Sequence, residues 1–370
     1  MDDFYAHDKV ISSCALFGCI ELNGRPFSGA LVARAIANMH VRGNGLGGGF
    51  AVYGLYPQHK DEYALHIMYQ NVEAKKETDR FLDQHFDIVK DEEIPTRPSP
   101  KIVKPPIVWR YFAIPRVEAP LQDDYVVEKV MAINTSGRGS CVFSSGKDMG
   151  VFKGVGYAED IFDFYRLDEY EGYIWLAHSR FPTNTPSWWG GAHPFSILDC
   201  SVVHNGEISS YGTNRRYLEM YGYRCTFYTD TEVLAYAFDL LVRRHRLSFE
   251  VASKVLAPPF WSQIEAMEPE EKTLYSSLRR VYPSLLINGP FSIIVARRGE
   301  LLALTDRIRL RPLTAGLSRS FLYLSSEEAA IRLVCPDLER VWTPKGGEPI
   351  IARVGQRTLP THKMAIKMKL

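Results

Sequence analysis

A chain of 370 residues, 46% hydrophobic and 24% charged, can bury a sizeable core, and its length sets a prior of two or three domains. With 44 Lys and Arg against 43 Asp and Glu, the net charge of +1 supplies no broad field for nucleic acid or an anionic membrane, so both are set aside as partners. The longest apolar runs, such as FSIIVA at 291–296, are too short to span a bilayer, and the leader MDDFYAHDKVISS has no long apolar stretch of the secretory kind.

Six cysteines, at 14, 19, 141, 200, 225 and 335, form no C-x-x-C pair. That usage predicts reduced thiols in a cytoplasm and disfavours structural zinc.

In chain order, CALFGCIEL reads as a strand headed by Cys14, and SGALVARAIANMHVRG as a helix with Leu31, Ile36 and Met39 on its apolar side. The loop RGNGLGGG lacks the Lys-Ser/Thr of a phosphate loop and follows a helix, whereas a dinucleotide fingerprint follows a strand; its glycines are read as permitting close packing. FAVYGLYP and EYALHIMYQ are predicted to pair as strands. VEAKKETDRFLDQHFDIV is predicted as an amphipathic helix with Phe81, Leu82 and Phe86 inward. Five prolines between Glu93 and Pro106 mark a linker or extended crossover. IVWRYFAIP resumes strand character, and SCVFSSGKDMGVFKGVG is predicted as a hairpin turning near Gly146 to Asp148. Strands follow at GYIWLAHSRFP, CSVVHNGEIS, FSIIVARRGELLALTD and SFLYLSSEEAAI, with helices at about 229–245 and 269–281. Hairpin-like strands with grouped helices argue for an α+β layered domain, and no internal repeat is visible.

The chemistry concentrates between 178 and 232. Arg180 leaves a strand end, HNGEI could be a tight turn, and Thr229 with Glu232 has the spacing of a capping box, so that Asp230 could simply answer a helix dipole. Taken singly, each is adequately explained by structure. Together with a cysteine at the head of a strand, they supply a nucleophile, a guanidinium for a carboxylate, a turn exposing backbone N–H, and a carboxylate for an ammonium. Those parts would hold a free amino acid and attack its side-chain amide.

Through VFSSGKDMGVFKGVG, PTNTPSWWGGAHPF, HNGEI, TDTEV, NGPFSIIV, TDRIRLRPL and SSEEAAIR, the chain resembles the class II glutamine amidotransferases, of the N-terminal nucleophile hydrolase type. Within them it is most similar to the stand-alone amidotransferase subunit of archaeal-type glutamate synthase, from Cys14 to about Arg353. The resemblance implies a four-layer αββα sandwich of two antiparallel sheets, with residues 1–13 a leader that is removed, 14–370 the amidotransferase domain, an elaboration at about 70–130 and a closing strand after 345. It implies that Cys14 is the nucleophile, its freed α-amine the base, Asn205 and Gly206 the oxyanion hole, Arg180 the carboxylate binder and Asp230 the ammonium binder. An α-amine has a reference pKa of roughly 8, suited to moving a proton near neutral pH. Thr183 and His193 shape the pocket wall, while His178 and His204 are read as core histidines. One departure is Cys14-Ala15 where many members have Cys-Gly.

The implied activity is glutamine hydrolysis in glutamate biosynthesis and ammonia assimilation. No flavin or iron–sulfur pattern occurs in the sequence, so FMN and an iron–sulfur cluster are expected on a synthase partner that reduces 2-oxoglutarate. The alternatives are another acceptor, such as N-methylglutamate synthesis, or a non-catalytic scaffold in which Cys14 stays unprocessed.

Overall fold

A computed structural model describes residues 13–182 and 186–356. Every residue of the Ala15–Glu21 strand is buried, as a strand covered on both faces must be. It lies at the centre of a seven-stranded sheet ordered Arg340–Trp342, Thr314–Leu317, Phe321–Ser325, Ala15–Glu21, Ile174–Ser179, Gly48–Tyr53 and Met149–Gly154. A five-stranded sheet of Phe195–Ile197, Cys200–Gly206, Phe291–Arg297, Glu300–Thr305 and Ile350–Arg353 stacks against it. All pairings in both sheets are antiparallel.

The two inner faces meet closely. Gly18 has no Cβ because one would sit 3.0 Å from Ile294 Cγ2 and 3.1 Å from Leu176 Cδ2. Polar ties cross the same gap: the Tyr53 hydroxyl lies 2.8 Å from Ser201 Oγ and from the Ala296 carbonyl oxygen, and His178 Nε2 donates to the His204 carbonyl at 2.9 Å. Helices Ala30–Ala37, Ala158–Phe164 and Glu328–Val334 cover the outer face of the larger sheet, and Asp230–Phe238 covers the smaller one. The result is the expected α+β arrangement of four layers, αββα, and the strand expected after 345 is Ile350–Arg353 at the edge of the smaller sheet. No helix among the described residues is long and apolar enough to cross a membrane.

Three local expectations need correction. Gly48–Tyr53 does not pair with Tyr63–Tyr69, and Ser140–Ser144 does not form a hairpin with Met149–Gly154. The chain instead leaves the large sheet after Gly48–Tyr53 and re-enters it at the neighbouring Met149–Gly154, building in between a separate four-stranded sheet ordered Phe86–Glu93, Ile107–Pro115, Tyr63–Tyr69 and Ser140–Ser144. Asp148 joins the exit to the return, its left-handed φ of 52° turning the chain while its backbone oxygen accepts from Gly54 N and its side chain from Tyr56 N. The elaboration placed at about 70–130 overlaps this sheet, whose strands run from 63 to 144. The helix expected to 89 ends at His85, because Phe86, Ile88 and Val89 enter the strand that pairs with Ile107–Pro115.

Gly18→Val should lower stability by about 1–3 kcal/mol through overpacking between the sheets, read as a reduced urea midpoint at unchanged m-value. An unchanged midpoint would mean that the sheets part there at no cost.

Candidate active site

The register Ala15↔Ser179 puts Cys14 and Arg180 at the same end of two neighbouring strands, each one residue beyond the pairing. Cys14 is half-buried, and its Sγ accepts from Phe181 N at 3.3 Å. Burial pushes the thiol pKa up, opposed by the Phe181 N–H and the Arg180 charge, with the net shift upward. The thiol is therefore protonated near neutral pH and needs a base before it can attack. Arg42 clamps the backbone here: Nε donates to the Cys14 carbonyl at 3.3 Å, one terminal nitrogen binds Glu327 at 2.8 Å, and the other binds Ser13 Oγ. Sequence reasoning passed over Arg42, which lies at the start of a loop assigned to packing.

That loop has a definite task. Arg180 is 3% exposed; its N–H donates to the Gly47 carbonyl at 2.8 Å, and a Cβ on Gly47 would lie 3.1 Å from Arg180 Cδ. Gly49 lets the chain pass the His193 carbonyl, 2.3 Å from where a Cβ would sit. Burial lowers the Arg180 pKa, while Cys14 and Asp230 act to raise it.

From the second sheet comes the Asn205–Gly206 end of the Cys200–Gly206 strand. Gly206 has φ +154°, and a Cβ there would be 2.0 Å from the Pro290 oxygen, so the position requires glycine. Asn205 is 1% exposed, and its Nδ2 has no hydrogen-bond partner among the described residues. Gly206 lines the cavity described below; Asn205 is buried beside it.

Asp230 begins the Asp230–Phe238 helix, with Thr229 as N-cap accepting from Thr231 N. The expected capping box does not close. Glu232 accepts from Thr226 N, Phe227 N and the Tyr236 hydroxyl, all at 2.9 Å, pinning the turn that precedes the cap. Burial raises the Glu232 pKa to about 7, against those donors and Lys153. Lys153, buried against the Phe195 ring with Nζ 2.9 Å from the Gly190 carbonyl, is lowered to about 8, chiefly by burial. The sequence marks Glu232 only as a capping-box partner and does not mark Lys153, which falls within an ordinary strand pattern.

Beneath Asp230 lies a polar network. Thr231 Oγ1 is 2.6 Å from His193 Nε2, 3.1 Å from His204 Nδ1 and 3.3 Å from Asp230 Oδ1. His204 Nδ1 also lies 3.4 Å from Asp230 Oδ1, and Ile208 N donates to Oδ2 at 3.0 Å. His178 stacks on His193 with centroids 4.1 Å apart. Burial holds both of those histidines well below the usual range, His178 at about 3, so both are neutral.

Hydrogen-bond logic then assigns the protons. His178 carries its proton on Nε2, because a carbonyl only accepts. His193 donates from Nε2 to Thr231, because the other tautomer would strand a buried N–H at Nδ1, which has no partner among the described residues. Thr231 passes the polarity on by donating to Asp230 Oδ1. Burial pushes the Asp230 carboxyl up, but His204, the Ile208 N–H and Thr231 outweigh it, and the carboxyl sits below its ordinary value as an anion. His204, expected to be a satisfied core histidine, is instead part of the site; the spacing in HNG carries no sign of that contact with Asp230, at the start of a later helix.

Cys14, Arg180, His193, Gly206 and Asp230 line one cavity of about 260 Å³. That is below the roughly 300–1,000 Å³ of sites for drug-sized ligands, and suits a small metabolite with opposite charges at one end. Thr183 lies outside the described residues.

Residues 125–226 match the family of class-II glutamine amidotransferases. An uncharacterized protein of Archaeoglobus fulgidus is 59% identical over 95% of this chain and 94% of its own. The amidophosphoribosyltransferase of Methanocaldococcus jannaschii is 28% identical over 60% of this chain, which spans 41% of that enzyme. Among solved structures, glutamine phosphoribosylpyrophosphate amidotransferase from B. subtilis is similar with a TM-score of 0.45 and 14% identity, over 95% of this chain and 50% of that one.

Thr231→Val keeps the side-chain volume but removes the hydroxyl that joins His193 to Asp230. The glutamine KM should rise about tenfold or more, as expected for a lost hydrogen bond to a charged group, with kcat changed less than about twofold. Thr231→Ser should restore the wild-type KM. Equal KM in the Val and Ser variants would remove Thr231 from substrate positioning.

Proposed function

We propose that this chain, whose residues 125–226 match the class-II glutamine amidotransferases, is an enzyme of that family and the glutaminase subunit of a glutamate synthase. The observation that carries the chemical part is the convergence of Cys14, Arg180, Gly206 and Asp230 on a single small cavity.

In this reading Arg180 takes the glutamine α-carboxylate and Asp230 the α-ammonium, which aims the side-chain amide at Cys14. Loss of residues 1–13 exposes the Cys14 α-amine, which takes the thiol proton. The thiolate then attacks the amide carbon, and the developing oxyanion is met by Gly206 N–H and Asn205 Nδ2, donors of a kind worth about 3 kcal/mol of barrier each. The amine returns the proton to the leaving nitrogen, so ammonia departs and a γ-glutamyl thioester remains on Cys14. Water, deprotonated by the same amine, attacks the thioester, releasing glutamate and regenerating the thiol. Asn205 supports this role by position, since its amide nitrogen is buried beside Gly206 with no partner among the described residues.

The synthase assignment rests on the order of motifs shared with the stand-alone synthase subunit, from Cys14 to about Arg353. The ammonia acceptor, 2-oxoglutarate, and the flavin and iron–sulfur groups belong in this reading to the partner subunit.

Active protein should begin at Cys14 by terminal sequencing, and Cys14→Ala should abolish glutamine hydrolysis, whereas Cys19→Ala and Cys200→Ala should retain it. Full activity with Ser13 still attached would refute the amine as base. Mixed with a flavin and iron–sulfur synthase subunit, the chain should confer glutamine-dependent glutamate formation from 2-oxoglutarate. If that rate is the same with and without the chain, the partner is wrong even where glutamine hydrolysis stands.

A further inference from the structure

A cavity of about 900 Å³, more than three times the volume around Cys14, opens between the Gln122–Thr135 helix and the Asp239–Arg244 turn. Its floor is apolar, from Val127, Met131 and Ala132. Four arginines reach it from one side: Arg224, Arg243, Arg244 and Arg246.

The acids of the opposite wall are already engaged. Asp124 is shared by Arg243 and Arg244 at 2.8 and 3.0 Å, Asp123 accepts from the Tyr63 hydroxyl at 2.6 Å, and Glu128 pairs with Lys129 at 2.7 Å. Arg243 is held further by Asp239, and Arg244 donates to the Tyr221 carbonyl. Arg224 and Arg246 differ: both are exposed, and neither has an acidic partner among the described residues. Two guanidinium groups therefore face a roomy cavity with no anion to answer them.

Backbone geometry marks the same place. Residues Asp239–Arg244 form a π-helical turn, a local insertion found disproportionately at functional sites. Two residues further on, Arg246 adopts a left-handed φ of 55°, uncommon for a residue with a side chain. The π turn and the left-handed residue together set where Arg243, Arg244 and Arg246 project.

We propose that this cavity binds a small polyanion, a phosphorylated or polycarboxylate metabolite, through Arg224 and Arg246, with its body against Val127 and Met131. Planar guanidinium groups suit this ligand class because they grip phosphate or carboxylate oxygens in pairs. The π turn directly continues the helix that begins with Asp230. Arg243 is thirteen residues beyond Asp230, about 20 Å along a helix, so occupancy at one end acts on the element that positions the ammonium-binding carboxylate at the other. Binding at the two sites is then coupled, and the coupling is reciprocal.

The test titrates the purified chain with inorganic pyrophosphate and, separately, with citrate, by calorimetry at low ionic strength. The two arms separate phosphate from carboxylate recognition. Saturable binding of at least one probe, weakened tenfold or more in Arg224→Gln/Arg246→Gln, is the expected result. The variant should melt at the wild-type temperature without probe, since both side chains are exposed and unpaired; the single variants provide the same reading if it does not. Failure of both probes to bind, or equal affinity in wild type and variants, overturns the site. For the coupling, a saturating probe should shift glutamine KM at least twofold in the wild type and leave it unchanged in the double variant; an unshifted wild-type KM overturns the coupling. The heat of binding is independent of glutamine hydrolysis, so this inference and the proposed function fail separately.

Discussion

Ala15 pairs with Ser179 across two central antiparallel strands, and everything at the site follows from that register and from how the second sheet lies against it. The residues just past the pairing, Cys14 and Arg180, emerge at one edge of the sandwich. The His178 to His204 hydrogen bond ties the same end of the first sheet to the second, bringing the Asn205–Gly206 strand end to the same edge. A slip of one residue would turn alternate side chains to the opposite face of the sheet. Burial on both faces forbids such a slip, so the hydrophobic core is also what aligns the chemistry.

Electrostatics at this edge are divided by depth. The buried, stacked histidines His178 and His193 are kept neutral by burial and act as fixed dipoles. Their polarity is relayed through Thr231 to Asp230, which stays ionised despite its burial. Arg180 provides the opposite charge across the cavity. In the proposed reading a zwitterionic amino-acid end meets charges that are already oriented, whereas the Cys14 thiol beside them stays neutral until a base acts. In the same reading, separating a preformed binding end from an unactivated reacting end links loss of the leader to activity, with the freed amine as the base.

Much of this was legible in the sequence because the site residues fall at strand ends and in a helix first turn, where local patterns are strong. HNGEI, TDTEV and the cysteine at the head of the first strand each mark such an end. Hairpin-like strands with grouped helices gave the α+β layering, and the resemblance to the amidotransferases gave the four layers. Strand partners were not legible: two consecutive apolar strands look like a hairpin whether or not they share a sheet, and Gly54 and Gly146 to Asp148 carry ordinary turn chemistry. The contacts of His204 and Arg42 escaped for a related reason. Each acts on a residue distant in sequence, Asp230 and Cys14, and nothing local to HNG or VRG encodes the meeting. The helix ending at His85 was misplaced because Phe86 fits an amphipathic helix as well as it fits a strand.

The central claim is that a freed Cys14 is the attacking group in a pocket built for glutamine. Treating active protein with a glutamine-mimicking diazoketone and mapping the adduct by peptide mass tests it most directly. The account predicts one adduct, on a peptide whose first residue is Cys14, formed more slowly when glutamine is present. An adduct on another cysteine, or labelling of Cys14 at the same rate with and without glutamine, would contradict it.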